Sequence, residues 1–174
     1  MNAVRRHPRL AALATGALLI ALAIPVTAYI IVPQLVRSTL VEDLPTAAPT
    51  REAGAPASSA PAGTIVETLL QGELVRITVA DYGSGSVRVV RVAGDRFVRF
   101  DDVDIAGAPD MYVYLSDQND GRPGTFVDLG RLKATNGSFN YPIPADTELA
   151  NVRSVVVWCR RFNVTVTYAI LRSG

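Results

Sequence analysis

Residues 10–32 contain no charged side chain, and this run of 23 residues limits what the chain can fold into more than any other feature. As a helix it would measure roughly 34 Å, enough to cross the hydrocarbon core of a bilayer. Eleven of its side chains are Leu, Ile or Val. Three arginines precede it, so the positive-inside bias places the N-terminus in the cytoplasm. We therefore predict a cytoplasmic segment at residues 1–9 and one transmembrane helix at residues 10–36. The remainder would lie outside the cytoplasm, held at the cell membrane.

The same run has a second interpretation, a removable signal peptide. Residues 10–24 have the length of a signal-peptide core, and Val26-Thr27-Ala28 is an acceptable cleavage site. Against this, apolar residues continue to position 32 and resume at positions 35 and 36, where a cleaved product would expose them. The sequence favours the uncleaved anchor but leaves cleavage open, and both interpretations export the rest of the chain.

Residues 37–63 are predicted to form a flexible, disordered linker. Within residues 45–63, four of the 19 side chains are Pro and seven are Ala, and none is aromatic or a large aliphatic. Such a segment buries too little apolar surface to offset its ordering entropy. As a flexible chain it would span ~24 Å. We therefore expect a tether that lets the following domain search for a partner near the membrane.

From residue 64 to residue 174 apolar side chains tend to alternate, which is typical of β-strands. Strands are expected at residues 86–92, 96–100, 111–115, 125–129, 138–141, 154–159 and 163–171, with a bulge at the double valine 89–90, a turn at 93–95 and a loop at 117–124. In the last strand Phe162, Val164, Val166, Tyr168 and Ile170 should share one face. We predict an all-β domain, either an antiparallel β-sandwich or a partly open barrel.

Charge and the scarcity of certain residues exclude several classes of function. The domain at residues 64–174 carries 12 basic and 13 acidic residues, so it offers no basic face to nucleic acid. The only histidine, His7, precedes the domain, so the domain holds no Ser-His-Asp triad and no histidine ligand for zinc or haem. Cys159 is the only cysteine, which excludes an intrachain disulfide and a c-type haem attachment. The cofactor stays unknown, and nothing indicates an enzyme with its own substrate.

Three signatures in the second half carry a resemblance to a known family. They are Leu-Gly-x-Leu-Lys at 129–133, Asn-Tyr-x-Ile-Pro at 140–144 and Trp-Cys-x-x-Phe at 158–162, accompanied by a stretch at 100–116. Together they resemble the DM-thirteen (DM13) domain, a small extracytoplasmic module often found beside DOMON and b-type cytochrome domains. The resemblance implies an electron-transfer or redox accessory module, with the family's cysteine, here Cys159, as the redox residue or a cofactor ligand. Its implied partner is a membrane oxidoreductase or a haem protein.

The chain departs from the family pattern in two places. Residues 80–86 lack a histidine that relatives often carry, and the usual Gly-Pro-Asp is Ala108-Pro109-Asp110. Losing the imidazole weakens any cofactor arrangement that needs a histidine ligand.

Two interpretations of Cys159 stay open. As a reactive centre, its thiolate would be favoured by Arg161, which shares its face if the strand extends that far. As packing, it would be a small buried hydrophobe on a Val-rich strand. Trp158 should point to the opposite face, where a core or edge aromatic is favoured over an electron relay. Met111 could join Cys159 in holding a metal or haem, but packing is favoured here too.

Carboxylates are the remaining candidates, as ligands of a hard cation. They are Asp101, Asp102, Asp104 and Asp110 in one stretch, and Asp117 and Asp128, with Asn119, in a partial imitation of a calcium loop. The Gly that such a loop requires is displaced, and the flanking segments are strands rather than helices. Solvated loop charges are favoured over a cation site, and no metal site is predicted.

Two functions of different class therefore remain. The favoured one is a membrane-tethered redox accessory that acts through Cys159. The alternative is a non-catalytic β-sandwich binding module of the cell envelope, in which Cys159 is structural.

Overall fold

The computed structural model describes Ala21, residues 37–45 and residues 66–174. Within residues 37–45 and 66–174 the chain forms ten strands and a single 3-10 turn, Leu149–Asn151. The strands are β1 (Thr39–Val41), β2 (Val66–Glu73), β3 (Gly83–Val92), β4 (Asp95–Ile105), β5 (Met111–Ser116), β6 (Phe126–Arg131), β7 (Asn136–Pro142), β8 (Ser154–Cys159), β9 (Val164–Ile170) and β10 (Arg172–Ser173). The prediction of an all-β domain is confirmed.

The strands form two sheets, a six-stranded one in the order β1-β7-β4-β3-β2-β10 and a four-stranded one in the order β6-β5-β8-β9. In the part of the chain described, neither sheet closes into a barrel. The inward side chains of both sheets form one hydrophobic core. The larger sheet contributes, among others, Val87, Val89, Phe100 and Phe139, and the smaller one Val113, Leu115, Val155 and Val157.

Alternation explains the sandwich, because successive side chains on a strand point to opposite faces. In β8, Val155, Val157 and Cys159 point inward. Across the core from the smaller sheet, the rings of Phe100 and Phe139 stack with centroids 5.1 Å apart. Burial of such aromatic pairs stabilises the fold beyond their area alone.

The two ends of the sandwich differ in what they carry. We call the end of the sandwich at which the chain enters β1 the entry end. The strand register brings several other segments to this end. The entry end comprises Arg37, the loops 74–82 and 106–110, the connection 132–135 and the hairpin 160–163. Cys159 therefore lies at the entry end, on the last position of β8.

Residues 37–45 were predicted to belong to the linker, and here the structure differs. Strand β1 pairs with β7, and this pairing is parallel, whereas every other pairing between named strands is antiparallel. The two backbones approach closely because Gly137, at φ +106°, has no Cβ, which would lie 2.1 Å from the Leu40 carbonyl oxygen. Residues 37–45 therefore belong to the folded domain.

Side chains around Glu42 fasten β1 to the larger sheet. The Glu42 carboxylate accepts hydrogen bonds from the Lys133 ammonium at 2.9 Å and from the Asn140 backbone N–H at 2.9 Å. Arg99 donates to the Glu42 carbonyl oxygen at 2.6 Å, and the Asn140 amide donates to the Asp43 carbonyl at 2.9 Å. Partial burial opposes ionisation, but these hydrogen bonds outweigh it, so the pKa of Glu42 lies below its usual value.

Two irregularities in the strand pairing bear on the predictions made from the sequence. The double valine of β3 does face an irregularity, but the extra residue is Leu69 of β2, between Thr68 and Leu70. A second bulge skips Val166 of β9 between the pairs Val157↔Thr167 and Trp158↔Thr165. The prediction that Phe162, Val164, Val166, Tyr168 and Ile170 share one face is therefore wrong. The bulge turns Thr167 and Ala169 inward, opposite Val157 and Val155.

The predicted transmembrane segment at 10–36, apart from Ala21, and residues 46–63 of the predicted linker lie outside the described residues. Among the described residues, no helix is long and apolar enough to span a bilayer.

Candidate functional site

Cys159 is fully buried, with a relative exposure of 0%. It pairs across the sheet with Met111 of β5 on one side and with Val164 of β9 on the other. Its Sγ–H donates a hydrogen bond of 2.9 Å to the carbonyl oxygen of Pro109. The thiol is thus sealed in the core, and within residues 37–45 and 66–174 its one polar contact is with the loop 106–110.

That loop is clipped to the end of β8 by two successive hydrogen bonds. Besides the Pro109 carbonyl, the Asp110 carbonyl accepts from the Arg160 backbone N–H at 3.1 Å. Asp110 has φ +61°, a left-handed conformation that a short polar side chain tolerates better than most. The Asp110 carboxylate forms an ion pair with Arg131 at 2.6 Å. We call the loop 106–110 the lid, because its Pro109 carbonyl accepts the hydrogen bond from the sulfur.

The structure brings Cys159 and Met111 together, as directly opposed residues of neighbouring strands. Side chains in that relation have Cβ atoms about 4.5–5.5 Å apart. Both belong to the hydrophobic core, so packing accounts for Met111. Because the two side chains are directly opposed, a change in the size of either one would alter the packing of the other.

The predicted partnership of Arg161 with the sulfur is not found. Strand β8 ends at Cys159, and Arg161 lies exposed in the turn that follows. Arg160, two residues after Trp158, lies on the same outer face as Trp158. This residue was missed in the sequence, although its spacing from Trp158 was a usable signal.

On the outer face of the smaller sheet, Arg160 organises an aromatic cluster. Its guanidinium carbon lies 3.3 Å from the ring centroid of Tyr112, and its Nε donates to the Tyr114 hydroxyl at 2.7 Å. This hydrogen bond, with the ion pair to Asp128, raises the pKa of Arg160 above its already high value. Tyr114 in turn stacks on Phe126 with centroids 4.1 Å apart. Aromatic and cationic groups thus run along the strand face opposite the sulfur.

Trp158 borders a groove next to this cluster. The groove has a volume of about 570 Å³ and is bounded by the loop 74–82, the loop 117–124 and the start of β9. Its walls include Trp158, Tyr168, Ile77 and Val164. Trp158 is partly exposed, so the residue next to Cys159 in the chain reaches solvent while the sulfur does not.

The acidic residues do not gather into a cation site. Each has its own partner: Asp101 with Arg88 and Arg99, Asp102 with Ser138, Asp104 with Arg37 and Asn136, Asp110 with Arg131, Asp117 with Thr125, and Asp128 with Arg160. Among the described residues, no group of three or more His, Cys, Asp or Glu side chains is close enough to hold a metal ion. Most of these carboxylates are paired with cations rather than simply solvated.

The other two signatures have structural roles near the site. The Tyr141 hydroxyl accepts from the Lys133 backbone N–H at 2.7 Å and donates to the Arg131 carbonyl at 3.0 Å. Burial raises the pKa of the Tyr141 phenol. Tyr141 therefore ties Leu-Gly-x-Leu-Lys to Asn-Tyr-x-Ile-Pro, while Asn140 holds β1.

The electron transfer DM13 family model matches residues 77–171, more than half of the chain. The chain belongs to the DM13 family. Searches of curated proteins and of solved structures gave no match. The matched range contains Cys159, its lid and the outer aromatic cluster, and the resemblance inferred from the three signatures is confirmed. DM13 is described as an electron-transfer domain, which gives this chain a general association with redox chemistry.

Proposed function

We propose that the chain is a single-pass membrane protein whose DM13 domain lies outside the cytoplasm and exchanges electrons with a membrane oxidoreductase or a haem protein. Cys159 is the redox centre of this proposal. The observation that carries it is the placement of the chain's single thiol at the end of β8, hydrogen-bonded to Pro109 of the lid. The anchoring rests on the charge-free run at residues 10–32.

A sealed sulfur suits electron transfer better than exchange of covalent partners. Thiol–disulfide exchange needs a thiolate that can reach a sulfur of the partner, and Cys159 has no exposed surface. An electron, by contrast, can cross a thin layer of protein. Trp158 adjoins Cys159 in the chain and is partly exposed on the other face of the strand, so it is the neighbouring side chain of the sulfur that a partner could contact. A partner that docks beside Trp158 would come nearest to the sulfur.

Oxidation of the thiol also has to move a proton. One electron leaves Sγ for the acceptor, the S–H proton is released, and a thiyl radical remains; reduction returns both and restores the thiol. The Pro109 carbonyl oxygen already accepts the hydrogen bond from the S–H group, but a carbonyl is too weak a base to keep the proton. Water must therefore reach the loop 106–110, and the rate of oxidation follows the opening of this lid.

The experiment compares the full-length protein with its Cys159→Ala variant. Hexachloroiridate(IV), a one-electron oxidant, is expected to be reduced by the reduced wild-type protein to a greater extent than by the variant. A bulky thiol reagent should react with the wild type only after unfolding. Met111→Leu, a volume-conserving change in the paired residue, serves as the control and should consume oxidant like the wild type. Equal consumption by wild type and Cys159→Ala would overturn the role of Cys159.

A second candidate function is favoured by one observation, the membership of Cys159 in the hydrophobic core. In this case the domain is a non-catalytic binding module of the cell envelope, and Cys159 only packs. It predicts that Cys159→Ala leaves both oxidant consumption and the cellular activity of the protein unchanged. The same experiment therefore decides between the two.

A further inference from the structure

Exposed apolar side chains concentrate at the entry end. Seven large hydrophobic residues are exposed among those described, and four lie here. They are Ile77 (44% exposed) and Val79 (78%) in the loop 74–82, and Phe162 (61%) and Val164 (40%) in and beside the hairpin 160–163. Ile77 and Val164 border the same groove, so the two segments are neighbours. A cluster of this kind on a folded domain indicates an interaction surface.

The same two segments carry arginines that lack an acidic partner. Arg76 and Arg161 are both exposed and form no ion pair within residues 37–45 and 66–174. Arg76 lies over the ring of Tyr82, 4.6 Å from its centroid. The nearby Asp81 accepts a hydrogen bond from Thr78 in the same loop. Exposed apolar side chains flanked by arginines that have no acidic partner are the composition of surfaces that bind anionic lipid.

The point of chain entry indicates what covers this surface. Arg37 donates hydrogen bonds to Asp104 at 2.7 Å and to the Tyr82 hydroxyl at 3.2 Å, so the first described residue of the segment 37–45 is fixed at the entry end. Four residues separate Arg37 from Val32, the last residue of the charge-free run. The five steps between these two residues span at most about 18 Å when extended. The domain is therefore held directly beneath the run, with no long tether between them.

We propose that the entry end is a membrane-docking surface, in which Ile77, Val79 and Phe162 enter the interface of the bilayer while Arg76 and Arg161 contact anionic headgroups. This rests on the membrane anchoring in the proposed function. It also deepens that function, because the lid 106–110 over Cys159 lies at the same end. The redox centre is then presented at the membrane surface, within reach of a partner embedded in the bilayer.

Depth-dependent fluorescence quenching tests this in the full-length protein. The native tryptophan is removed by Trp158→Phe, and a new one is placed by Phe162→Trp at the entry end or, as the matched control, by Phe126→Trp at the opposite end of the sandwich. Each protein is reconstituted into vesicles of phosphatidylcholine and phosphatidylglycerol, with and without brominated lipid. The Phe162→Trp protein should lose most of its emission to bromine, whereas the Phe126→Trp protein should keep nearly all of it.

A second probe keeps the test independent of one variant's folding. Val79→Trp, in the other segment, should be quenched like Phe162→Trp, and quenching of both should fall in purely zwitterionic vesicles. Equal quenching of the Phe162→Trp and Phe126→Trp proteins, or of neither, would overturn the docking surface. Failure of the protein to float with vesicles would overturn the anchoring as well. Adding Cys159→Ala should not change quenching, so this outcome is separate from the redox role.

Discussion

The two sides of β8 meet different surroundings although they belong to one six-residue strand. On the inner side Val155, Val157 and Cys159 are completely buried, and the thiol has a single polar contact. On the outer side Ser154 and Val156 are buried too, but Trp158 is partly exposed. Arg160, just past the strand end, contacts the Tyr112 ring and pairs with Asp128. One strand thus combines a buried thiol on its inner side with a partly exposed aromatic and cationic surface on its outer side.

The largest expected effect is on the inner side, from Met111→Ala. Removing this buried side chain should cost about 2–5 kcal/mol of unfolding free energy, measured by chemical denaturation. Because Met111 faces Cys159 in register, the resulting cavity should also let a small thiol reagent reach the sulfur under native conditions. The control is Met111→Leu, which should cost less than about 1.5 kcal/mol and leave the thiol protected. An unreactive thiol in a folded Met111→Ala protein would mean that Met111 does not protect the sulfur, and a reactive thiol in the folded wild type would contradict the sealed packing of the inner side.

The next effect comes from the thiol itself. Cys159→Ala removes the donor to the Pro109 carbonyl and leaves that oxygen without its partner, at a cost of about 1–3 kcal/mol. Cys159→Ser keeps a donor at this position, and its hydroxyl should hold the lid as the thiol does. Hydrogen exchange of the amides in the loop 106–110 measures this: exchange should accelerate in Cys159→Ala and less so in Cys159→Ser. Equal protection in the wild type and Cys159→Ala would mean that the sulfur does not hold the lid.

On the outer side, Arg160→Ala should have a smaller effect on stability than either inner change. It removes the contact with the Tyr112 ring and the hydrogen bond to Tyr114, but both rings keep other neighbours. Thiol reactivity should stay at the wild-type level, since Arg160 lies on the other face of the strand. A thiol exposed by Arg160→Ala would break the separation between the two sides.

The smallest effect concerns strand β1, which belongs to the other sheet. The pKa of Glu42 is lower in the folded state, so its contribution to stability is present above its unfolded pKa and is lost as pH falls through the folded one. The protection factors of the β1 amides, which are corrected for the intrinsic pH dependence of amide exchange, should therefore fall in acid in the wild type and stay nearly constant in Glu42→Gln. Gly137→Ala, which displaces β1 sterically, should give low protection factors at every pH. Both sides of β8 should be unaffected, and a change in thiol reactivity would show coupling between the sheets.

Much of the smaller sheet could be predicted because its signal is local. The strand 154–159 follows from its run of β-branched and aromatic residues, and the loop 117–124 follows from its turn residues. Strand β8 has the predicted bounds. The register that places Met111 against Cys159 could not be predicted, since it depends on how two distant strands align. Arg160 was missed because an expected extension of the strand favoured Arg161.

The attachment of β1 was missed for a different reason. A three-residue strand carries almost no pattern of its own, and its position depends on contacts with Gly137, Lys133 and Asn140 that lie nearly a hundred residues away. The compositional argument for a linker holds best for residues 46–63, where it stays a prediction. Residues 46–63 follow β1 in the chain, whereas the linker was predicted to precede the whole domain.

Whether Cys159 exchanges electrons is measured most directly by voltammetry of the full-length protein reconstituted in a lipid film on an electrode. The wild type should give a reversible one-electron wave that is absent in Cys159→Ala and retained in Trp158→Phe, which excludes oxidation of the neighbouring ring as its source. A wave of equal size in wild type and Cys159→Ala, or no wave in the wild type, would contradict the proposal that Cys159 is the redox centre.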